Sequence, residues 1–439
     1  MKKIRMLCLV LVVAICLPLV PVSAAPSVSA LSYVMMDAET GQILFGQNMD
    51  TQYDPASITK IMTLALACEK AQGDWDVALT VSYEDIASIA NTGSSHIALQ
   101  EGEVISLEDA LYAVMMASAN DAANVLAAYV GGDIEGGVAA MNAQVEELGL
   151  ENTHFDNPHG LTSDTHKVTA ADMAEILRWA MEQPGFMTLY TNNEMYIMDP
   201  TNKQEETRYF SLSDSVRIGS SKYYVPEVIG SKTGYTDASR YTYAAVGESD
   251  GRTFICVTLH SEEKVDRYND AKTLFDYAFA HFTKVEIPSS GDTFDVEIYG
   301  GNAKLGEGEV SAVGLSLYLY DGIGADTVTC TYEMDEQYII GGNYQAVAVY
   351  TLPATSEQEG FTYEVPMTIT GVDTVVKANV GISLAATASL LPSGNKAVGA
   401  SIIVAILVVL LLAFVVVWFV RKRPAKRKSR YQRVHRYHR

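Results

Sequence analysis

Ser57-Ile58-Thr59-Lys60 places a hydroxyl three residues before an amine, Ser118-Ala119-Asn120 adds a second hydroxyl and a carboxamide, and Lys232-Thr233-Gly234 adds a second amine beside a third hydroxyl. A serine hydroxyl is a weak nucleophile until an adjacent base takes its proton, and Lys60 is the base that the spacing holds near Ser57. Lysine titrates near ~10.4, so a useful neutral fraction at neutral pH requires a depression of about 3 units, roughly 4 kcal/mol of differential interaction. A second cation and partial burial are the available sources. The chemistry is acyl transfer through a serine activated by lysine. Single motifs of this kind are weak: Ser261-Glu262-Glu263-Lys264 and Ser393-Gly394-Asn395-Lys396 also read S-x-x-K, so order and context supply the specificity.

The context positions each group. Tyr53-Asp54-Pro55-Ala56-Ser57 leads into Ile58, Ile61, Met62, Leu64, Ala65 and Leu66, an apolar pattern that predicts a buried helix starting near Ser57. Ser57 and Lys60 then share one helical face, with the hydroxyl at the positive end of the helix dipole. Ser118 and Asn120 end the apolar run Leu111 to Ala117, which predicts a loop between two core helices. Lys232-Thr233-Gly234 follows Val228-Ile229-Gly230 and precedes the strand-like Tyr241 to Val246. This predicts a strand edge, with Gly234 leaving room for a ligand's backbone.

With these contexts the chain resembles the low-molecular-mass penicillin-binding proteins of the serine D-alanyl-D-alanine carboxypeptidase family, whose motif set also marks class A β-lactamases. The resemblance runs over roughly residues 30 to 283. It includes Thr40-Gly41 after Asp37, Ala56-Ser57 with Thr59-Lys60-Ile61-Met62-Thr63, Ser118 through Ala122, Asn157-Pro158-His159-Gly160-Leu161, Thr169-Ala170 with Asp172-Met173, and Gly230 through Gly234. It implies that Lys232 lies beside Lys60 and lowers its affinity for a proton. Ser118 would relay the proton to the leaving amine, and Asn120 would orient Lys60 and bind the substrate amide. The oxyanion hole would be the backbone N–H groups of Ser57 and Tyr235. Lys232 and Thr233 would hold the substrate's terminal carboxylate, joined by Arg267, which stands where the family carries a carboxylate-binding arginine. The alternative for Arg267 is an ordinary surface arginine on a helix.

No cofactor and no metal is called for. His159 and His166 flank a short loop, but no third ligand stands at a zinc-like spacing.

The ends of the chain address it to a membrane. Lys2, Lys3 and Arg5 precede the apolar Leu7 to Val20 and the small residues of Val22-Ser23-Ala24, the pattern of a signal peptide over residues 1–24. Val398 to Val420 is an uncharged run long enough to span a bilayer, and residues 421–439 carry ten lysines and arginines with no acid. The expected topology is a single-pass membrane protein with the basic tail in the cytoplasm and the rest on the extracytoplasmic face. That tail is also compatible with anionic lipid. With three of the 31 basic residues in the leader and ten in the tail, 18 oppose 53 acidic residues in the exported part. Such a surface disfavours nucleic acid and other polyanions as partners. Cys68, Cys256 and Cys330 remain after the leader, an odd number that suits buried free thiols better than a disulfide framework.

The predicted fold is a mixed α/β catalytic domain over 25–283, an antiparallel sheet with helices of the serine transpeptidase and β-lactamase type. Alternating patterns such as Leu315-Ser316-Leu317-Tyr318-Leu319-Tyr320 predict an all-β, sandwich-like accessory domain over 284–383, then a linker over 384–397 and a transmembrane helix over 398–420. The resemblance implies a membrane-anchored enzyme that removes the terminal D-alanine from peptidoglycan stem pentapeptides through an acyl-enzyme on Ser57, and that β-lactams acylate as dead-end mimics. A DD-endopeptidase would use the same residues. A β-lactamase would need a deacylating glutamate, and Glu147-Leu148-Gly149-Leu150-Glu151 lacks the accompanying asparagine. A non-catalytic penicillin-binding sensor or scaffold is the non-enzymatic alternative, and it has no need of Ser57, Lys60, Ser118 and Lys232 together.

Overall fold

The segments Ser32–Asp37 (β1), Tyr241 to Val246 and Thr253 to Leu259 carry apolar side chains at nearly every position, which a strand does only when both faces are covered. The computed structural model shows why. It describes residues 26–287, 293–295, 307–310, 315–333, 337–339, 342–372 and 376–378. The signal peptide, linker, membrane span and basic tail expected at 1–24, 384–397, 398–420 and 421–439 lie outside the described residues. Among the described residues no helix is long and apolar enough to cross a membrane.

β1, Ile43–Gln47 (β2), Val228–Thr236 (β3), Arg240–Ser249 (β4) and Arg252–Ser261 (β5) form one antiparallel sheet in the order β2-β1-β5-β4-β3. Side chains alternate between its faces. Val34, Met36, Ala244, Val246, Ile255 and Val257 point into a core shared with helices Lys60–Ala71 (α1), Leu107–Met116 (α2), Asn120–Gly131 (α3), Ile134–Glu147 (α4) and Ala170–Met181 (α5). Tyr33, Met35, Tyr243, Ala245, Phe254 and Cys256 point the other way, onto Ala271, Leu274 and Phe275 of helix Asp266–His281 (α6). α1 buries almost every residue from Lys60 to Cys68, so it is the central helix rather than an amphipathic one.

The helix starts are written locally. Ser106 and Asp109 form a reciprocal capping box at α2, and Asp133 and Thr169 accept backbone N–H bonds at the starts of α4 and α5. Cys68 and Cys256 are buried, Cys330 is half-buried, and none is in a disulfide.

After α6 the chain enters strand Phe282–Ile287 (β6), which pairs antiparallel with Leu315–Tyr320 (β7). The strands Thr293–Asp295, Glu307–Val310, Phe361–Val372, Gly342–Leu352 and Thr329–Glu333 form a second five-stranded sheet in that order. The other edge of β7 is closed by two buried side chains instead of a strand. Gln42 donates to the Tyr318 carbonyl at 2.7 Å and accepts from the Tyr318 N–H at 2.8 Å. Gln358 donates to the same carbonyl at 2.7 Å and accepts from the Tyr320 N–H at 2.9 Å. Tyr318 also meets Phe254 of β5 edge to face at 5.0 Å.

A buried backbone group left without a partner costs about 1–3 kcal/mol. Gln42→Met should therefore lower the free energy of unfolding by about that amount in urea titrations, because it orphans the Tyr318 N–H. An unchanged midpoint would show that this edge finds another partner.

Candidate active site

Ser57 sits on a 3-10 turn, Ala56–Thr59, and the α-helix begins only at Lys60. The helix expected to start near Ser57 begins there as a 3-10 turn that runs directly into α1, with Ala56 at φ +49°. The Thr242 hydroxyl of β4 donates to the Pro55 carbonyl at 2.8 Å. Gly234 of β3 comes so close that a Cβ there would lie 2.8 Å from the Ser57 nitrogen and 2.3 Å from the Thr242 hydroxyl oxygen. Gly234 lines the cleft as well, and the space a side chain there would need is taken by the Ser57 turn.

Lys60 is fully buried (0% exposed) beneath Ser57. Its Nζ lies 3.1 Å from Ser57 Oγ, 2.6 Å from Asn120 Oδ1 and 2.7 Å from the His159 carbonyl. A carbonyl and a carboxamide oxygen only accept. A neutral amine donates its two N–H bonds to those oxygens and turns its lone pair toward the Ser57 hydroxyl. Burial, and after it the Lys232 ammonium, holds the Lys60 proton affinity well below the usual lysine range, while Asp121 opposes the shift.

Lys232 projects from the edge strand β3 and donates to Ser118 Oγ at 2.9 Å and to the Thr233 carbonyl at 3.2 Å. It is 3% exposed, and burial together with Arg267 lowers its pKa to about 7, with Asp214 pulling the other way. Ser118, at φ +53°, lies in the connection from α2 to α3, and Asn120 is the first residue of α3. The loop expected between two core helices is therefore three residues long.

Arg267 is not a surface arginine: it is 6% exposed, in the first turn of α6. Its guanidinium lies 5.3 Å from the Tyr241 ring centroid and 4.8 Å from that of Tyr268. One terminal nitrogen donates to the Tyr268 hydroxyl at 2.8 Å and the other reaches the Gly234 carbonyl at 3.4 Å. The Nε–H is buried with no partner.

A cleft of about 520 Å³ is lined by every predicted site residue except Lys60, which lies under its floor: Ser57, Ser118, Asn120, Lys232, Thr233, Gly234, Tyr235 and Arg267. Its wall adds Ser94, Ser95, Ser213 and Lys264, none of which the sequence singled out for the site. No aspartate or glutamate is among the lining residues. Glu151 instead borders a separate pocket beside the end of α4.

His159 and His166 belong to the loop packed against the Ala56–Thr59 turn. His166 Nδ1 accepts from the Asp156 N–H at 2.9 Å, so its Nε2–H donates to Thr59 Oγ1 at 2.9 Å. Burial lowers the His166 pKa to about 4, and burial, followed by Lys60, holds that of His159 well below the usual histidine value. Gly160, at φ +90°, has Ala56 packed against it so tightly that a Cβ would lie 1.8 Å from the Ala56 carbonyl oxygen. The main-chain carbonyl of His159 is a functional group that side-chain reading could not find, although Asn157 through Leu161 stood among the motif matches.

A family model described as D-alanyl-D-alanine carboxypeptidase matches residues 20–263. The D-alanyl-D-alanine carboxypeptidase DacF of Bacillus subtilis is 31% identical over 253 residues, 58% of this chain and 63% of its own length. DacC of Escherichia coli is 29% identical over 306 residues, 66% of this chain and 72% of that protein. Among solved structures, a D-alanyl-D-alanine carboxypeptidase from Mycobacterium tuberculosis superposes with a TM-score of 0.52 at 26% identity, covering 59% of this chain and 95% of that one. DacD from Francisella tularensis shares the fold over 81% of this chain and 95% of its own, with a TM-score of 0.59 at 21% identity. A match over more than half of the chain, which takes in all three motifs and ends just past β5, makes this protein a member of the D-alanyl-D-alanine carboxypeptidase family.

Proposed function

We propose that this chain is a membrane-anchored serine D-Ala-D-Ala carboxypeptidase that trims the terminal D-alanine from peptidoglycan stem pentapeptides. The observation that carries the reading is the Lys60 amine, held dry between Asn120 and the His159 carbonyl with its remaining valence toward Ser57.

In this reading Ser57 Oγ attacks the carbonyl carbon between the two D-alanines as its proton passes to Lys60 Nζ. The backbone N–H groups of Ser57 and Tyr235 receive the oxyanion. The C–N bond breaks, the leaving amine takes a proton through Ser118, and the acyl group stays on Ser57. Water then adds, giving a proton to Lys60, and the acyl C–O bond breaks as Ser57 regains its hydrogen. The released peptide is one D-alanine shorter. Lys232, Thr233 and Arg267 hold the terminal carboxylate. A cleft lined by Lys232, Lys264 and Arg267 and by no carboxylate suits that anion. β-Lactams carry an equivalent carboxylate and a reactive amide, and would acylate the same serine.

A β-lactamase reading, which requires a carboxylate beside the deacylating water, gains no support from a cleft lining without one. A DD-endopeptidase would use the same groups on a cross-linked substrate. A sensor without activity leaves the dry Lys60 unexplained. The apolar Val398 to Val420 is the proposed anchor, with the basic tail inside and the catalytic and β-rich parts outside.

A labelled penicillin should attach to the wild-type protein and not to Ser57→Ala, with the adduct mapped by mass spectrometry to the peptide containing Ser57. Labelling that persists in the variant would move the nucleophile elsewhere. Lys60→Arg keeps a cation but removes the accessible base, so acylation should fall by about 10²–10⁴-fold. An arginine variant within a few-fold of wild type would leave Lys60 with an electrostatic role alone. Arg267→Ala should cost about ten- to a hundredfold in kcat/KM on a D-Ala-D-Ala peptide, from roughly 1.5–3 kcal/mol of charge-assisted contact, and little on its C-terminal amide. Equal losses on both substrates would assign Arg267 to the fold.

A further inference from the structure

β3 shows its two faces to two different charge environments. Lys232 points toward Ser118 on the helical side, whereas its neighbour Ser231 points through the sheet to a buried carboxylate, Asp214. Asp214 is 5% exposed and comes from the connection before β3. Its Oδ2 accepts from the Ser231 hydroxyl and, at 2.7 Å, from the Tyr243 hydroxyl of β4, while Oδ1 accepts from the Val216 N–H at 3.1 Å.

The same turn is anchored a second time by Arg217, which donates to the carbonyls of Tyr190 at 3.2 Å and Asn192 at 3.0 Å. Tyr190 in turn donates to the Ala244 carbonyl of β4 at 2.7 Å. It packs so closely on β3 that a Cβ on Gly230 would lie 2.5 Å from its ring. Asp214 therefore ties this turn to β3 and β4 on the face away from Lys232, Arg217 ties it to Tyr190 on the helical face, and the adjacent Ser213 lines the cleft. No acidic side chain lines that cleft, where Lys232, Lys264 and Arg267 all stand.

We infer that Asp214 is a positioning residue of the acyl-transfer site: through Ser231 and Tyr243 it fixes β3 so that Lys232 meets Ser118, and it sets a negative charge behind Lys232 against Arg267. The inference rests on the acyl-transfer reading above. Asp214 touches no reacting atom and acts through the strand and through Lys232.

The groups that face Lys232 are Arg267 of α6, Lys60 of α1, Asp214 of the turn and Tyr190 of the short helix Phe186–Tyr190. Tyr243 of β4 lies behind the strand, and His159 and Lys264 share the cleft. Of these Arg267 drives the Lys232 proton off and Asp214 holds it on. Removing the carboxylate must therefore lower the pH at which Lys232 loses its charge. Acylation by a penicillin, whose carboxylate needs that charge, should then be lost at lower pH.

The test is the rate of labelling by a fluorescent penicillin as a function of pH, on the full chain in detergent. For Asp214→Asn the alkaline limb should move down by about one unit or more, with a rate about tenfold lower at the optimum. Ser231→Ala keeps the charge and breaks one link, so its rate should fall at every pH with the limb in the wild-type position. An Asp214→Asn profile that overlays wild type, or a loss of thermal stability with the limb unmoved, overturns the inference. If Asp214→Asn does not fold, a Ser231→Ala variant that labels at the wild-type rate overturns it instead. A wild-type protein that takes no label overturns the acyl-transfer reading itself, and this inference with it.

Discussion

An amine kept out of water is the constraint on which the site depends. Lys60 sits at 0% exposure with a second lysine near enough to repel its proton, and both effects favour the neutral form. Burying an uncharged amine is tolerable only when its N–H bonds have acceptors, and the structure provides two in Asn120 Oδ1 and the His159 carbonyl. Those acceptors come from segments 60 and 99 residues away from Lys60, so the whole helical layer has to close before the base exists. α1 is the central helix for that reason: the residue that needs the driest position is its first.

The turn that carries Ser57 is held by close approaches of two glycines. Gly234 on β3 and Gly160 in the loop below each leave no room for a Cβ against the Ala56–Ser57 turn. An added methyl at either position would push Ser57 away from Lys60. The turn, the edge strand and the loop therefore form one closely packed seat for Ser57.

Charge is distributed in opposition to the protein's composition. The chain carries 53 acidic residues, yet the cleft is lined by Lys232, Lys264 and Arg267 and by no acid. Asp121 and Asp214, both buried, oppose the lowering of proton affinity that burial and neighbouring cations impose on Lys60 and Lys232. Arg267 is kept in place between the rings of Tyr241 and Tyr268, and its buried Nε–H has no acceptor.

The spacing of Ser57 and Lys60, the second pair at Ser118 and Asn120, and the run Lys232 to Gly234 were legible from the sequence because three-residue spacings and apolar flanks are local properties. The capped starts of α2, α4 and α5 are local as well, although the structure and not the sequence reading identified them. What the sequence could not contain was distance between segments. That Ser57 belongs to a 3-10 turn, that Gly234 serves the nucleophile's turn, that a main-chain carbonyl of His159 shares the base, and that Arg267 is buried between two tyrosines all follow from packing across β3, β4, α1 and α6. Asp214 is the clearest case. In Leu212-Ser213-Asp214-Ser215 it reads as a solvated loop acid, and only the antiparallel pairing of β3 with β4 brings Ser231 and Tyr243 to its carboxylate. Local pattern determines which groups a segment offers; burial and charge, which set what those groups do, depend on neighbours that the fold alone brings together.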